Sequence, residues 1–233
     1  MFRRLSLFLS ALLPTAAHSA VENVDAPRFS ELAQDENAIV VDVRTPQEIA
    51  QGKVPNASEI DFYDPNFAAK ASRLQKDKTI LLYCRSGARS SQAAQQLNSM
   101  GFANIVNLNG GITAWQRAKL PIEVPDTVAA SDAPQPISQE EFETAIAANP
   151  YVLLNFNSKW CSPCRRMKPV IQELEEKHAD QIKVLEIDAD ANEALMDQYE
   201  VTPVPTFVIL NKGQEIWRKT GATPLQAFLD AIE

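Results

Sequence analysis

The chain has 233 residues, 45% of them apolar and 22% charged, with a net charge of −8. That composition is ordinary for globular protein and long enough for two cores, so wholesale disorder and a single small domain are excluded. The acidic balance leaves no basic stripe for nucleic acid, and two histidines with three cysteines cannot gather four ligands around Zn²⁺, so neither nucleic acid nor a metal is expected. Charge is unevenly spread: residues 21–121 carry eleven acids against eleven Lys and Arg, whereas 138–233 carry sixteen against nine. This asymmetry bears on solubility and partner choice rather than on fold.

Residues 1–20 run from a basic start (Arg3, Arg4) through an apolar stretch, Leu5 to Leu13, to Pro14 and small residues. That order predicts a secretory signal peptide, and hence a periplasmic or secreted protein. A retained membrane anchor is the alternative, although the run is well short of the roughly 20 residues that span a bilayer. No cysteine lies at the expected cleavage point, so lipoprotein processing is not indicated. Outside the cytoplasm, cysteine pairs need a dedicated partner to hold their redox state.

Along the chain, 38–43 and 79–83 are short β-branched apolar runs that predict buried strands. Helices are expected at 45–51 and at 90–100 with a Gly101 stop. A strand at 105–108 and a helix at 111–119 follow. Strands alternating with helices imply a parallel sheet covered on both faces. The stretch 122–137, with Pro125, Pro134 and Pro136 among Ala, Ser and Asp, predicts an extended linker. Beyond it, Ser138 and Glu141 predict a capping box opening a helix to Ala148. Strands at 151–156 and 183–188 flank a long helix, 162–179, which holds Pro169. A hairpin about 211–214 and a final helix, 224–232, complete an α/β chain of two domains, 21–121 and 138–233.

Trp160-Cys161-Ser162-Pro163-Cys164 places two cysteines one helical turn apart after a strand. The unpaired N–H groups of a helix start favour thiolate over thiol, and Pro163 fits a first turn because its missing N–H would be unpaired there. An inert staple is the alternative, but so small a loop removes little unfolded-state entropy. Cys161 and Cys164 are therefore the candidate redox-active pair. Arg165, Arg166 and Lys168 add cationic charge nearby, or are simply solvated. A second candidate is Cys84, which ends a strand and opens the loop Cys84-Arg85-Ser86-Gly87-Ala88-Arg89. Successive backbone N–H groups and a following helix N-terminus cradle whatever the sulfur carries, and Arg85 and Arg89 suit an oxyanion. A buried core cysteine is the bland alternative.

Residues 138–233 resemble the thioredoxin family through the strand 152–156, Trp160 before the first cysteine, Pro169 and Val204-Pro205-Thr206. The resemblance implies a mixed sheet, Cys161 as nucleophile, Cys164 as resolving thiol, and a cis Pro205 facing the disulfide. Trp160 and Pro205 would then help to bind thiol or disulfide protein substrates. Two departures stand out: the family's buried Asp and its partner Lys are Asn155 and Val184 here. An Asn cannot accept a proton as a carboxylate does, so deprotonation of Cys164 would depend on water or a partner.

Residues 25–121 resemble the rhodanese family through Val41–Glu48, Gly52–Ala57, the cysteine loop and Leu108–Trp115 with Leu120-Pro121. The resemblance implies a persulfide on Cys84, structural roles for Asp42 and Arg44, and no cofactor. Lys53 replaces the usual His without an expected catalytic consequence. The six-residue loop, one shorter than in related arsenate reductases and phosphatases, implies sulfur rather than phosphate. It suits an anionic donor such as thiosulfate. The two resemblances together imply an extracytoplasmic sulfurtransferase coupled to a thiol–disulfide oxidoreductase, with a membrane thiol–disulfide electron donor as a further partner. The alternative is disulfide exchange alone, with the N-terminal domain as a docking or redox-sensing module.

Overall fold

Two sheets organise the chain in a computed structural model that describes residues 21–125 and 136–233. The expected signal peptide, 1–20, and linker residues 126–135 lie outside the described residues. The first sheet is all parallel, with strand order β1-β5-β4-β2-β3. Its strands are β1 (Glu22–Val24), β2 (Ala38–Asp42), β3 (Ser58–Glu59), β4 (Thr79–Tyr83) and β5 (Ile105–Leu108). The helices are α1 (Ala26–Leu32), α2 (Pro46–Ile49), α3 (Phe67–Ser72), α4 (Ala88–Ser99) and α5 (Gly111–Arg117).

Side chains alternate across a strand, so β2 and β4 feed two cores at once. Ile39, Val41, Ile80 and Leu82 pack with Phe67, Ala93 and Leu97 on one face. Val40, Leu81 and Tyr83 pack with Phe29, Ile112 and Trp115 on the other. Each fully buried Leu, Ile or Phe contributes about 1.5–3 kcal/mol of transfer free energy, which explains the continuous apolar runs. The short elements β1, β3, α1 and α3 carry too few residues for a period to show in the sequence.

The second sheet is mixed, with order β7-β6-β8-β9. It comprises β6 (Tyr151–Asn157), β7 (Lys183–Asp188), β8 (Thr206–Asn211) and β9 (Gln214–Thr220). Around it lie α6 (Gln139–Ala148), α7 (Ser162–Lys177), α8 (Glu193–Gln198) and α9 (Leu225–Asp230). The six-residue α8 is again too short for the sequence to signal. β6 runs parallel to β7 and antiparallel to β8, and Asn155 stands opposite Glu186. Ser138 Oγ accepts from the Glu141 N–H at 3.1 Å, which supplies one half of the expected capping box.

The expected linker is attached to both domains at its ends. Glu123 exchanges two backbone hydrogen bonds with Lys53 (2.8 and 2.9 Å), and Pro121 O accepts from Trp115 Nε1 at 2.8 Å. The buried Lys53 ammonium also pairs with Glu59 and with Glu123. It thus holds residues after the last N-terminal helix to the domain they leave. On the far side, Ile137 N–H donates to Asn192 Oδ1 at 2.9 Å.

Candidate active sites

Cys84 lies just beyond the carboxyl end of β4, where a parallel sheet opens its loops to ligand. The thiol is free and 1% exposed. Gly87, with φ of 103°, turns the chain into α4, and its N–H points at Cys84 Sγ from 3.1 Å. Ser90 Oγ lies 3.5 Å from the same sulfur. Burial pushes the thiol up, but the Ser90 hydroxyl and the backbone N–H groups of Ser90, Ser86 and Gly87 outweigh it. Its pKa therefore lies below the ordinary value. The floor of the cradle is Gly111, with φ of 58°, where any Cβ would collide with the carbonyls of Cys84 and Arg85.

The loop's two arginines are not equivalent. Arg85 is exposed and makes no ion pair among the described residues. Arg89 forms a two-pronged pair with Glu48 (2.7 and 2.6 Å), and its guanidinium sits 5.6 Å from the Tyr63 ring. Much of the Arg89 charge is therefore already neutralised, so the loop does not present the two free cations that its sequence suggests. Ser86 and Ala88 are exposed on the rim. Asp42 and Arg44 lie behind the loop as a buried pair: Arg44 Nε and Nη2 donate to the carboxylate, and Tyr83 Oη donates to Asp42 Oδ2 at 2.6 Å.

The second site is at the start of α7. Cys161 caps the helix, its Sγ accepting from Cys164 N–H at 3.1 Å, and the two cysteines are joined as a disulfide with Cα atoms 5.3 Å apart. Cys161 is 2% exposed and Cys164 9%. The Val204–Pro205 bond is cis, and Val204 O lies 3.8 Å from Cys161 Sγ. Trp160 is fixed by its Nε1 donating to Asp190 Oδ2 at 2.8 Å, an acceptor shared with Ser158 Oγ.

This face is covered by the N-terminal domain. Ser162 N–H donates to Ser58 Oγ (2.9 Å), Glu59 N–H to Trp160 O (3.1 Å) and Arg165 Nη2 to Ala57 O (2.7 Å). Val204 N–H donates to Arg73 O at 3.0 Å, and the Arg73 guanidinium pairs with Asp190. Cys84 and Cys161 share one continuous apolar cluster, but no bond joins them among the described residues. Sequence reasoning missed Ser90, Glu48, Asp190 and Arg73. Only Ser90 had a local signal, as a first-turn hydroxyl directly after the cysteine loop.

A free thiol cradled by backbone N–H groups on a parallel sheet, and a helix-capping disulfide on a mixed one, define a protein of sulfur transfer and dithiol exchange. The thioredoxin family model matches residues 133–233, and the rhodanese-like domain model matches 25–118. A sulfurtransferase of Allochromatium vinosum is 42% identical over 107 residues, 46% of this chain and 98% of its own. Thioredoxin 1 of Synechococcus elongatus is 32% identical over 107 residues, 46% of this chain and 96% of its own. Among solved structures, a mutant thioredoxin from Halobacterium salinarum is 34% identical, covering 46% of this chain and 93% of that one with a TM-score of 0.39. The chain belongs to both the rhodanese and the thioredoxin families, a sulfurtransferase domain fused to a thiol oxidoreductase domain.

Proposed function

We propose that the chain couples sulfane-sulfur transfer to dithiol oxidation, outside the cytoplasm. The Cys84 thiolate attacks the outer sulfur of an anionic donor such as thiosulfate; sulfite leaves and Cys84 keeps a persulfide. The reduced Cys161 thiolate then takes that sulfur, with Cys84 departing as thiolate. Cys164 attacks Cys161 Sγ, hydrosulfide leaves with the bonding electrons, and the Cys161–Cys164 disulfide forms. Two electrons pass from the dithiol to the sulfane sulfur. An external thiol, from a protein substrate or a membrane thiol–disulfide donor, reduces the pair again.

The observation that carries this reading is the segment 57–63, which touches both sites. Ala57 and Ser58 bond the first turns of α7 and Glu59 bonds Trp160 just before it, while the Tyr63 ring lies on Arg89 of the Cys84 loop. Two sites held on one chain exchange at high effective concentration. Cys161→Ser should abolish dithiol-dependent sulfide release while leaving thiocyanate formation from thiosulfate and cyanide intact. Unchanged sulfide release in that variant would overturn the coupling. The basic-then-apolar pattern of residues 1–20 supports the extracytoplasmic setting, which amino-terminal sequencing of the mature protein and cell fractionation test.

One observation favours a second reading, disulfide exchange with the N-terminal domain as a docking or sensing module. That domain's Arg73 carbonyl occupies the Val204 N–H beside the disulfide. Under this reading Cys84→Ser leaves every sulfur assay unchanged, whereas under the first it removes thiocyanate and sulfide formation together.

A further inference from the structure

Cys164 must lose a proton before it can attack a mixed disulfide on Cys161, yet it is almost fully buried. The position on β6 from which a carboxylate could serve holds Asn155. The structure shows what Asn155 does instead. Its Nδ2 donates to both oxygens of Glu186, each at 3.0 Å, from the facing position on the edge strand β7. Asn157 Nδ2 donates to Glu186 Oε2 as well.

Two amides thus aim one carboxylate into a cleft of about 550 Å³ that Asn155, Cys164, Lys168 and Glu186 line together. The side chains alternate so that Leu153 and Asn155 on β6, and Val184 and Glu186 on β7, face α7. From α7, Cys164, Lys168, Ile171 and Glu175 follow at helical spacing along one face into the same cleft. The cleft is polar and roomy enough for water to bridge thiol and carboxylate.

We infer that Glu186 is the proton acceptor for Cys164, acting through water across this cleft in place of the missing buried Asp. The inference rests on the reading of Cys161–Cys164 as a working dithiol. With a substrate thiol R bonded to Cys161 Sγ, Glu186 takes the Cys164 proton through water. The Cys164 thiolate attacks Cys161 Sγ, the Cys161–Cys164 bond forms, and the bond to R breaks with its electron pair. RS⁻ is protonated from solvent, and Glu186 returns its proton to solvent at the open edge of the sheet. The dithiol has lost two electrons and the substrate disulfide has gained them.

The electrostatics suit the role. Glu186 is exposed as a residue, but its carboxylate end lies against the buried Asn155, and desolvation is the largest cause holding its pKa above the ordinary carboxylate value. Glu175 from α7 pushes the same way, and the Asn155 and Asn157 amides and Lys168 push back. Arg165 and Lys159 also line the cleft; Glu140 and Glu141 of α6 and Lys183 of β7 line the adjoining groove on the other side of Glu186. A raised carboxylate is a better acceptor at neutral pH than an ordinary one.

The resolving step can be watched alone in the full chain carrying Cys84→Ser. Reduced protein mixed with an aromatic disulfide releases one aryl thiolate as Cys161 is derivatised and a second as Cys164 resolves the mixed disulfide. Adding Glu186→Gln should leave the first phase unchanged, slow the second by at least roughly tenfold at neutral pH, and move its pH midpoint upward. Asn155→Asp placed on Glu186→Gln should restore the second phase, because a carboxylate returns to the cleft. A second phase with the parent's rate and pH profile in Glu186→Gln overturns the relay while leaving the dithiol reading intact. A double variant as slow as the single one assigns the loss to packing and also overturns it. A parent protein that never releases the second thiolate overturns the dithiol reading and the relay with it.

Discussion

Val204 N–H donates to the Arg73 carbonyl at 3.0 Å, so the loop beside the Cys161–Cys164 disulfide is hydrogen-bonded to the sulfurtransferase domain. The Arg73 guanidinium reinforces the contact through Asp190, which also orients Trp160. The dithiol is therefore masked by its own chain whenever the two domains are docked in this way.

Loosening that contact should expose the pair. A partly buried ion pair contributes about 1 kcal/mol, which is about fivefold in the undocked population. Arg73→Ala, after reduction, should let a bulky maleimide label Cys161 about fivefold faster in a mass-spectrometric time course. Equal labelling rates would show that docking does not limit access.

Ser90→Ala removes the hydroxyl that does most to lower the Cys84 pKa. The nucleophile is the thiolate, so activity rises with pH through the thiol's pKa, and raising that pKa shifts the rising limb to higher pH. Thiocyanate formation by this variant should fall most at low pH and recover at high pH. A uniform loss at all pH values would assign Ser90 a role in packing only.

The Arg89 guanidinium pair lowers Glu48 from 4.5 to about 2. For a depressed carboxylate, the stabilisation is present above its unfolded value and is lost as pH falls through the folded one. The contribution should therefore fade between about pH 5 and pH 2. Thermal unfolding across that range should be less pH-dependent in Glu48→Gln than in the parent chain. Parallel curves would place the acid sensitivity elsewhere.

Gly111→Ala drives a methyl group into the Cys84 and Arg85 carbonyls at a positive φ. The backbone strain alone costs roughly 1–3 kcal/mol. Denaturant unfolding should register that loss, and thiocyanate formation should fall sharply because the cradle floor must move. Dithiol activity at Cys161–Cys164 should persist, since Gly111 belongs to the other domain. Loss of both activities would point to unfolding of the whole chain.

Much of the architecture was legible because its signals are local. The strands at 38–43 and 79–83 are short apolar runs, those at 105–108 and 183–188 carry Ile, Val and Leu between turns, and the observed boundaries of all four agree to within one residue. Both cysteine loops were visible as strand, turn and helix start. Two-residue β3 had no period to read, yet it supplies Ser58 and Glu59 to the dithiol face. Arg89 looked like a free cation because its partner Glu48 is 41 residues away in sequence.

The cysteine pair, the six-residue Cys84 loop and the two family resemblances were determined by the sequence alone, since each rests on neighbouring residues whose backbone geometry follows from their order. Only the tertiary structure decided what those residues touch. It neutralises Arg89, covers the dithiol with residues 57–59 and 73, and replaces an absent Asp with Glu186 held by Asn155. Charge pairing and burial are set by distances across strands and domains, and no local pattern encodes a distance between residues dozens of positions apart.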